Sequence, residues 1–234
     1  MGDLVTMDDL TNEEIVAILD DSERLVPVAR GVVNLPLLEG KVLANMFFEN
    51  STRTRMSFET AMKRLGGSVL NFSSVGTSVS KGETLYDTMQ MIDGYADIAA
   101  IRHPRQGAAQ YSADAVEISI LNAGDGAGNH PTQTMLDLFT IRQSHGDLEG
   151  LNVVLVGDLR YGRTVHSLSH ALVRFGASLT LVSPGTLRMP KEIVADLRSQ
   201  GSEVAETESL QEQINHADVI YMTRIQKERF PDED

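Results

Sequence analysis

Nine consecutive residues, Phe47-Phe48-Glu49-Asn50-Ser51-Thr52-Arg53-Thr54-Arg55, bring three hydroxyls and two guanidinium groups together just after an apolar run. Backbone N–H groups at a helix N-terminus have no intrahelical partner, and the helix dipole favours negative charge there. If a helix begins in this stretch, Ser51, Thr52, Arg53 and Thr54 add donors to it, and Glu49 is the neighbouring acid. Such a set suits a phosphate, whose oxygens accept charge-assisted hydrogen bonds from arginine and from open amides. A capped helix with two solvated arginines has the same local sequence, so the segment alone leaves both readings open.

The surrounding pattern supplies elements to hold that turn. Residues 42–48 read as a buried strand, and the spacing of Met56, Ala61, Met62 and Leu65 predicts a helix over 54–65, closed by Gly66-Gly67. Upstream, Thr11-Asn12-Glu13-Glu14 is a capping box opening an amphipathic helix through Ile15, Ile18 and Leu19. Downstream, strands are expected at 68–72, 97–101, 118–121, 151–156, 178–182, 203–205 and 219–222. Helices are expected at 84–95, 131–142, 163–175, 192–198 and 210–215, and the Met89, Met91 and Ile92 cluster reads as core. Strand alternating with helix means α/β: two domains, each a parallel sheet flanked by helices. Residues 1–130 form the first, 131–146 the helix between them, and 147–234 the second. Ligands of such sheets sit beyond the carboxyl ends of strands. The polar clusters at 51–54, 102–104, 122–133, 158–163 and 223–226 fall at such ends and are expected to converge on one cleft.

Composition narrows the function classes. The net charge of −13 repels nucleic acid, and the apolar runs are too short to span a membrane. The N-terminal residues lack a secretion signal, and the chain has no cysteine, so disulfides, thiolate catalysis and cysteine-ligated zinc are excluded from it. A cytoplasmic location follows as the expectation. Fifteen of the 20 cationic residues are arginine and five lysine. An acid-rich, lysine-poor surface suits high salt, where self-repulsion is screened, and a salt-loving prokaryotic source is the matching expectation.

Taken together, six stretches resemble the transcarbamoylases, and among them the catalytic chains of aspartate carbamoyltransferase. They are FENSTRTRMSFE (48–59), KGETLYDT (81–88), IRHPRQGA (101–108), LNAGDGAGNHPTQTMLDLFTI (121–141), VGDLRYGRTVHSL (156–168) and YMTRIQKERF (221–230), in the family's order. The resemblance implies carbamoyl transfer from carbamoyl phosphate to L-aspartate in pyrimidine biosynthesis, with no cofactor and no metal.

It also assigns roles. Ser51, Thr52, Arg53, Thr54, Arg102, His130 and Gln133 would bind carbamoyl phosphate, and Arg53, Thr54, Arg102 and His130 would be catalytic. Thr54, Arg102 and His130 would point donors at the carbonyl oxygen, and Gln133 would bind the carbamoyl amide. Arg163, Arg224 and Gln226 would bind aspartate, together with Lys81, which in the family reaches a neighbouring subunit's site. Shared sites imply a homotrimer; Ser78 and Ser80 both remain candidates beside Lys81, and the resemblance leaves regulatory chains open as partners. His103, His145, His166, His170 and His216 are expected to be structural or at the surface, and Arg55 and Arg105 to form structural ion pairs.

The family normally continues for several dozen residues beyond KERF, so this sequence is expected to be truncated at its C-terminus. Two rival readings follow. One is an ornithine or other amino-acid carbamoyltransferase, although an arginine at position 224 would repel the ornithine cation. The other is an inactive chain that binds carbamoyl phosphate without turnover.

Overall fold

The computed structural model describes residues 2–73, 77–126 and 128–224, without the side chain of Ser80. Two compact units divide the chain, Met1–Gln133 and Thr134–Asp234.

In the first unit β1 (Val42–Phe47), β2 (Ser68–Ser73), β3 (Ile98–His103) and β4 (Ser119–Asp125) form a parallel sheet in the order β2-β1-β3-β4. Alternation along β1 and β3 assigns the two faces. Ala44, Met46, Ala99 and Ile101 pack with Met89 and Ile92 of α3 (Leu85–Asp93) and Ala109 of α4 (Ala108–Ala113). Leu43, Ile98 and Ala100 pack with Phe58 and Met62 of α2 (Thr52–Arg64). Helices on both faces bury most of β1, β3 and β4, while edge strand β2 stays largely exposed, and each large apolar side chain so enclosed contributes about 1.5–3 kcal/mol. α1 (Asn12–Ala29) opens with the expected Thr11–Glu14 capping box. Leu4 extends the sheet beside β4, donating to Ile120 O at 2.8 Å and accepting from Asn122 N–H at 2.9 Å.

The second unit repeats the plan. β5 (Asn152–Val156), β6 (Ser178–Val182), β7 (Val204–Thr207) and β8 (Val219–Met222) pair in parallel in the order β7-β6-β5-β8. α5 (Pro131–His145) leads into it, and α6 (Arg163–Val173) and α7 (Lys191–Ser199) follow β5 and β6. α6 turns Val165, Leu168, Ala171 and Leu172 inward.

The structure departs from expectation in several places. α4 is an extra helix of six residues, too short to show a period. Residues 210–215 do not make an α-helix: Gln213 N–H bonds Leu210 O and His216 N–H bonds Gln213 O, tightening the segment into turns and a 3-10 helix, Ile214–His216. A helix that short lacks the length to offset its own nucleation. Met89 and Ile92 are core, whereas Met91 lies on the outer face of α3. Among the described residues no helix is long and apolar enough to cross a membrane.

Candidate active site

How α2 begins decides what its first turn can hold. β1 ends at Phe47, opposite Arg102 of β3, and the chain enters α2 at Thr52. The helix thus starts two residues earlier than the periodicity suggests, and Thr52, Arg53 and Thr54 all lie in its first turn. α1 and α3 close their own first turns with capping boxes, Thr11 with Glu14 and Thr84 with Asp87. α2 has none. The extended Ser51 makes no capping hydrogen bond, and no acidic residue stands in the first turn. Its amides and dipole are left for an anion. Asn45, fully buried on β1, pins this turn to the sheet by donating Nδ2 to Arg55 O and to Asn71 Oδ1, both at 3.1 Å. Arg53 is exposed, and no carboxylate among the described residues engages it.

Arg102 lies within β3 rather than after it, one strand away from that turn. Its Nε donates to Glu49 Oε1 at 2.7 Å and its Nη1 to Ala123 O at 3.2 Å. The second acceptor comes from an irregularity in β4. Ile101 pairs with Asn122 but His103 pairs with Asp125, so β4 carries one residue more, and the bulge supplies the Ala123 carbonyl. Two anchors fix the guanidinium plane.

His103 is structural, as expected. Its ring packs 5.1 Å from Phe48, and its Nδ1 accepts the Arg105 N–H at 3.0 Å. Burial, then the nearby Arg105 charge, pull its pKa below the ordinary imidazole value. Arg55 and Arg105 form no ion pairs among the described residues. Glu59, one turn beyond Arg55, is taken instead by Lys63 at 2.6 Å.

His130 is buried directly before Pro131, the first residue of α5. Its Nδ1 lies 3.2 Å from Thr132 Oγ1, and its carbonyl accepts the Gln133 N–H at 3.0 Å, which puts both predicted ligands on one turn. The 51–54 turn, Arg102 and His130 thus follow or close β1, β3 and β4, three neighbouring strands. Lys81, itself exposed, ends a 3-10 turn, Ser78–Lys81, in the β2–α3 connection, and no hydrogen bond among the described residues joins it to them. Ser78 is exposed at the start of that turn.

The aspartate candidates lie in the second unit. Arg163 is buried at the first residue of α6, and Arg224 is exposed two residues beyond β8, the neighbour of β5. Thr223 stitches their two connections together: its N–H donates to Val156 O at 2.8 Å, and its Oγ1 accepts the Asp158 N–H at 2.8 Å. The approach is so close that a Cβ on Gly157 would stand 2.8 Å from Thr223 O, and φ is +115° there. Asp158, wholly buried, accepts the Tyr161 N–H at 2.9 Å, and His166 Nε2 lies 2.8 Å from Leu159 O. The loop before Arg163 is therefore held from inside. Gln226 lies outside the described residues.

Sequence reasoning missed the residues that orient the others. Glu49 stood out only as an acid beside the turn, and Asp158 and Thr223 as members of polar clusters. Asp125 sat among glycines, a pattern that does signal a carboxylate accepting backbone N–H groups. Among the described residues no group of three or more His, Asp or Glu is arranged to hold a metal ion.

Two family models match the chain. Residues 2–143 match the aspartate/ornithine carbamoyltransferase carbamoyl-P binding domain, and residues 149–234 the Asp/Orn binding domain. The aspartate carbamoyltransferase catalytic subunit of Methanothrix thermoacetophila is 56% identical over 231 residues, covering 98% of this chain and 75% of that protein. The catalytic subunit of M. jannaschii aspartate transcarbamoylase superposes with a TM-score of 0.93 at 50% identity, covering 99% of this chain and 76% of that one. Aspartate transcarbamoylase from Trypanosoma cruzi, in complex with carbamoyl aspartate and phosphate, superposes with a TM-score of 0.92 at 40% identity, covering 99% and 77%. This chain belongs to the aspartate/ornithine carbamoyltransferase family, in its aspartate carbamoyltransferase branch.

Proposed function

We propose that the chain transfers the carbamoyl group of carbamoyl phosphate to the amine of L-aspartate, yielding N-carbamoyl-L-aspartate and phosphate in pyrimidine biosynthesis. One observation carries this reading: the uncapped, acid-free first turn of α2 shares the carboxyl end of one sheet with the anchored Arg102 and the buried His130. Binding of carbamoyl phosphate, aspartate and product by similar structures supports it.

In this reading the amine nitrogen attacks the carbonyl carbon and a C–N bond forms. The carbon–oxygen bond to phosphate then breaks, and a proton leaves the nitrogen. Ser51, Thr52, Arg53 and Thr54, with Arg102, hold the phosphate as it gains charge. Thr54, Arg102 and His130 donate to the carbonyl oxygen, and Gln133 binds the carbamoyl NH2. With Thr132 Oγ1 3.2 Å from His130 Nδ1, a hydroxyl that donates to Nδ1 would keep the ring proton on Nε2, the form that can donate. Each such donor contributes on the order of 10²–10³ in rate.

Arg163, Arg224 and Gln226 take the two carboxylates of aspartate, for which the planar guanidinium fork is suited. The first unit serves carbamoyl phosphate, the second aspartate, with the helix at 131–146 between them. Lys81 completes the site of a neighbouring subunit in a homotrimer. The cytoplasm is its proposed place of work, since a cysteine-free chain needs no oxidising compartment.

Acceptor choice tests the reading. Offered L-aspartate and L-ornithine in parallel, the chain is expected to carbamoylate aspartate; preference for ornithine would overturn the assignment of Arg224.

A further inference from the structure

Asp125 closes β4 and is only 3% exposed. Its Oδ2 accepts the Gly107 N–H at 2.8 Å, and its Oδ1 accepts the Asn129 N–H at 2.6 Å. The donors belong to different connections. Gly107 ends the segment that starts at Arg102, and Asn129 immediately precedes His130.

The same two connections touch again beside the carboxylate. Gly126 N–H donates to His103 O at 2.8 Å. With φ at +56°, Gly126 comes so near Pro104 that a Cβ there would stand 2.5 Å from Pro104 O. Gly128 N–H returns to Asp125 O at 2.8 Å, and a Cβ on Gly128 would meet Asp125 Oδ1 at 2.6 Å. The carboxylate is thus enclosed by backbone with both oxygens in use. Only a group that accepts at two oxygens satisfies both amides; a carboxamide presents a donor to one of them. Leaving a buried donor unpaired is costly, so the clip is specific to the acid.

We propose that Asp125 is a positioning residue, a buried clip that sets Arg102 and His130 at a common separation for carbamoyl phosphate. The proposal rests on the carbamoyl-phosphate reading above. Asp125 itself touches no substrate and acts through the two connections it joins.

The test is a thermodynamic cycle on the full 234-residue chain. Calorimetric titration with carbamoyl phosphate gives Kd, and circular dichroism gives the folded fraction. In folded Asp125→Asn, Kd is expected to rise about tenfold or more, because the two connections that carry Arg102 and His130 shift relative to each other and the bound geometry is no longer held ready. In a His130→Ala background the same substitution should change Kd by no more than about threefold, because a group it positions is gone. A merely structural role lowers the melting temperature, leaves the Kd of folded chains unchanged and shows no such coupling.

Should Asp125→Asn fail to fold, Asp125→Glu carries the same cycle with the charge kept and displaced by one methylene. Unfolding of both variants, an unchanged Kd, or independent effects in the cycle would overturn the proposal. If the unaltered chain binds no carbamoyl phosphate, the functional reading falls and takes this inference with it. If the unaltered chain binds and the Asp125 variants bind equally well, this inference alone fails.

Discussion

Glu49 and Arg102, 53 residues apart in sequence, meet at 2.7 Å between Oε1 and Nε, where β1 and β3 run side by side. Parallel pairing makes the meeting unavoidable: Phe47 stands opposite Arg102, and Phe48 N–H donates to Arg102 O at 2.8 Å. The pair is part-buried, so solvent screens it only partly. Glu49→Ala is expected to release the guanidinium and lower kcat about tenfold, while Glu49→Gln, which keeps an acceptor for Nε, loses less. Steady-state kinetics on both variants checks this, and equal kcat in all three chains would mean that orientation of Arg102 is immaterial.

The two units are proposed to serve different substrates, and substitutions should separate them. Arg53→Ala is expected to lower turnover by about 10²-fold or more, because the leaving phosphate loses a charged donor. Arg224→Ala should chiefly raise the KM for aspartate by roughly 10–100-fold, matching the loss of a charge-assisted hydrogen bond of about 1.5–3 kcal/mol. Unchanged aspartate kinetics in Arg224→Ala would remove it from the acceptor site.

A shared site makes a quantitative forecast for mixtures. Chains carrying Arg53→Ala and chains carrying Lys81→Ala are each expected to be inactive. Reassembled in equal amounts as trimers, about a quarter of the sites would draw an intact Arg53 and an intact Lys81 from different chains. Recovery of about a quarter of the unaltered activity is therefore expected. Confirmed mixed trimers that stay inactive would show Lys81 to act in its own chain or not at all.

Tyr221 of β8 donates to Asp137 Oδ2 of α5 at 3.0 Å. Burial first, and then the Asp137 charge, push the tyrosine pKa up to about 12. The folded chain holds this proton more tightly than the unfolded one, whose tyrosine titrates near its ordinary value of about 10. The bond therefore contributes fully below about pH 10 and is lost as pH rises through about 12. Relative to Tyr221→Phe, denaturant unfolding should show an advantage of about 1–2 kcal/mol that is flat up to pH 9 and declines above 10. A difference that grew with alkalinity would contradict this linkage.

The parts of the fold legible in the sequence were those with a period or a cap. The Thr11–Glu14 box and the Pro131 start stand as read, and the strand expected over 42–48 is found one residue shorter, ending at Phe47. α4 escaped because six residues opened by a left-handed Gly107 carry too little pattern. The segment at 210–215 misled because a helical spacing of one turn carries no tertiary information. In the site, donors aimed at ligands were readable as residue types. The residues that orient them were not, since Glu49, Asp125 and Thr223 act across contacts 53, 18 and 65 residues apart. The β4 bulge that turns Ala123 O toward Arg102 left no mark except its glycines.

The most direct measurement is product formation by the purified chain in molar KCl, with carbamoyl phosphate and L-aspartate supplied together and Arg53→Ala as control. Equal amounts of N-carbamoyl-L-aspartate and phosphate, formed by the unaltered chain and lost in the control, are expected. Binding of carbamoyl phosphate with no carbamoyl-aspartate formed would contradict the account and leave a chain that holds its ligand without turning it over.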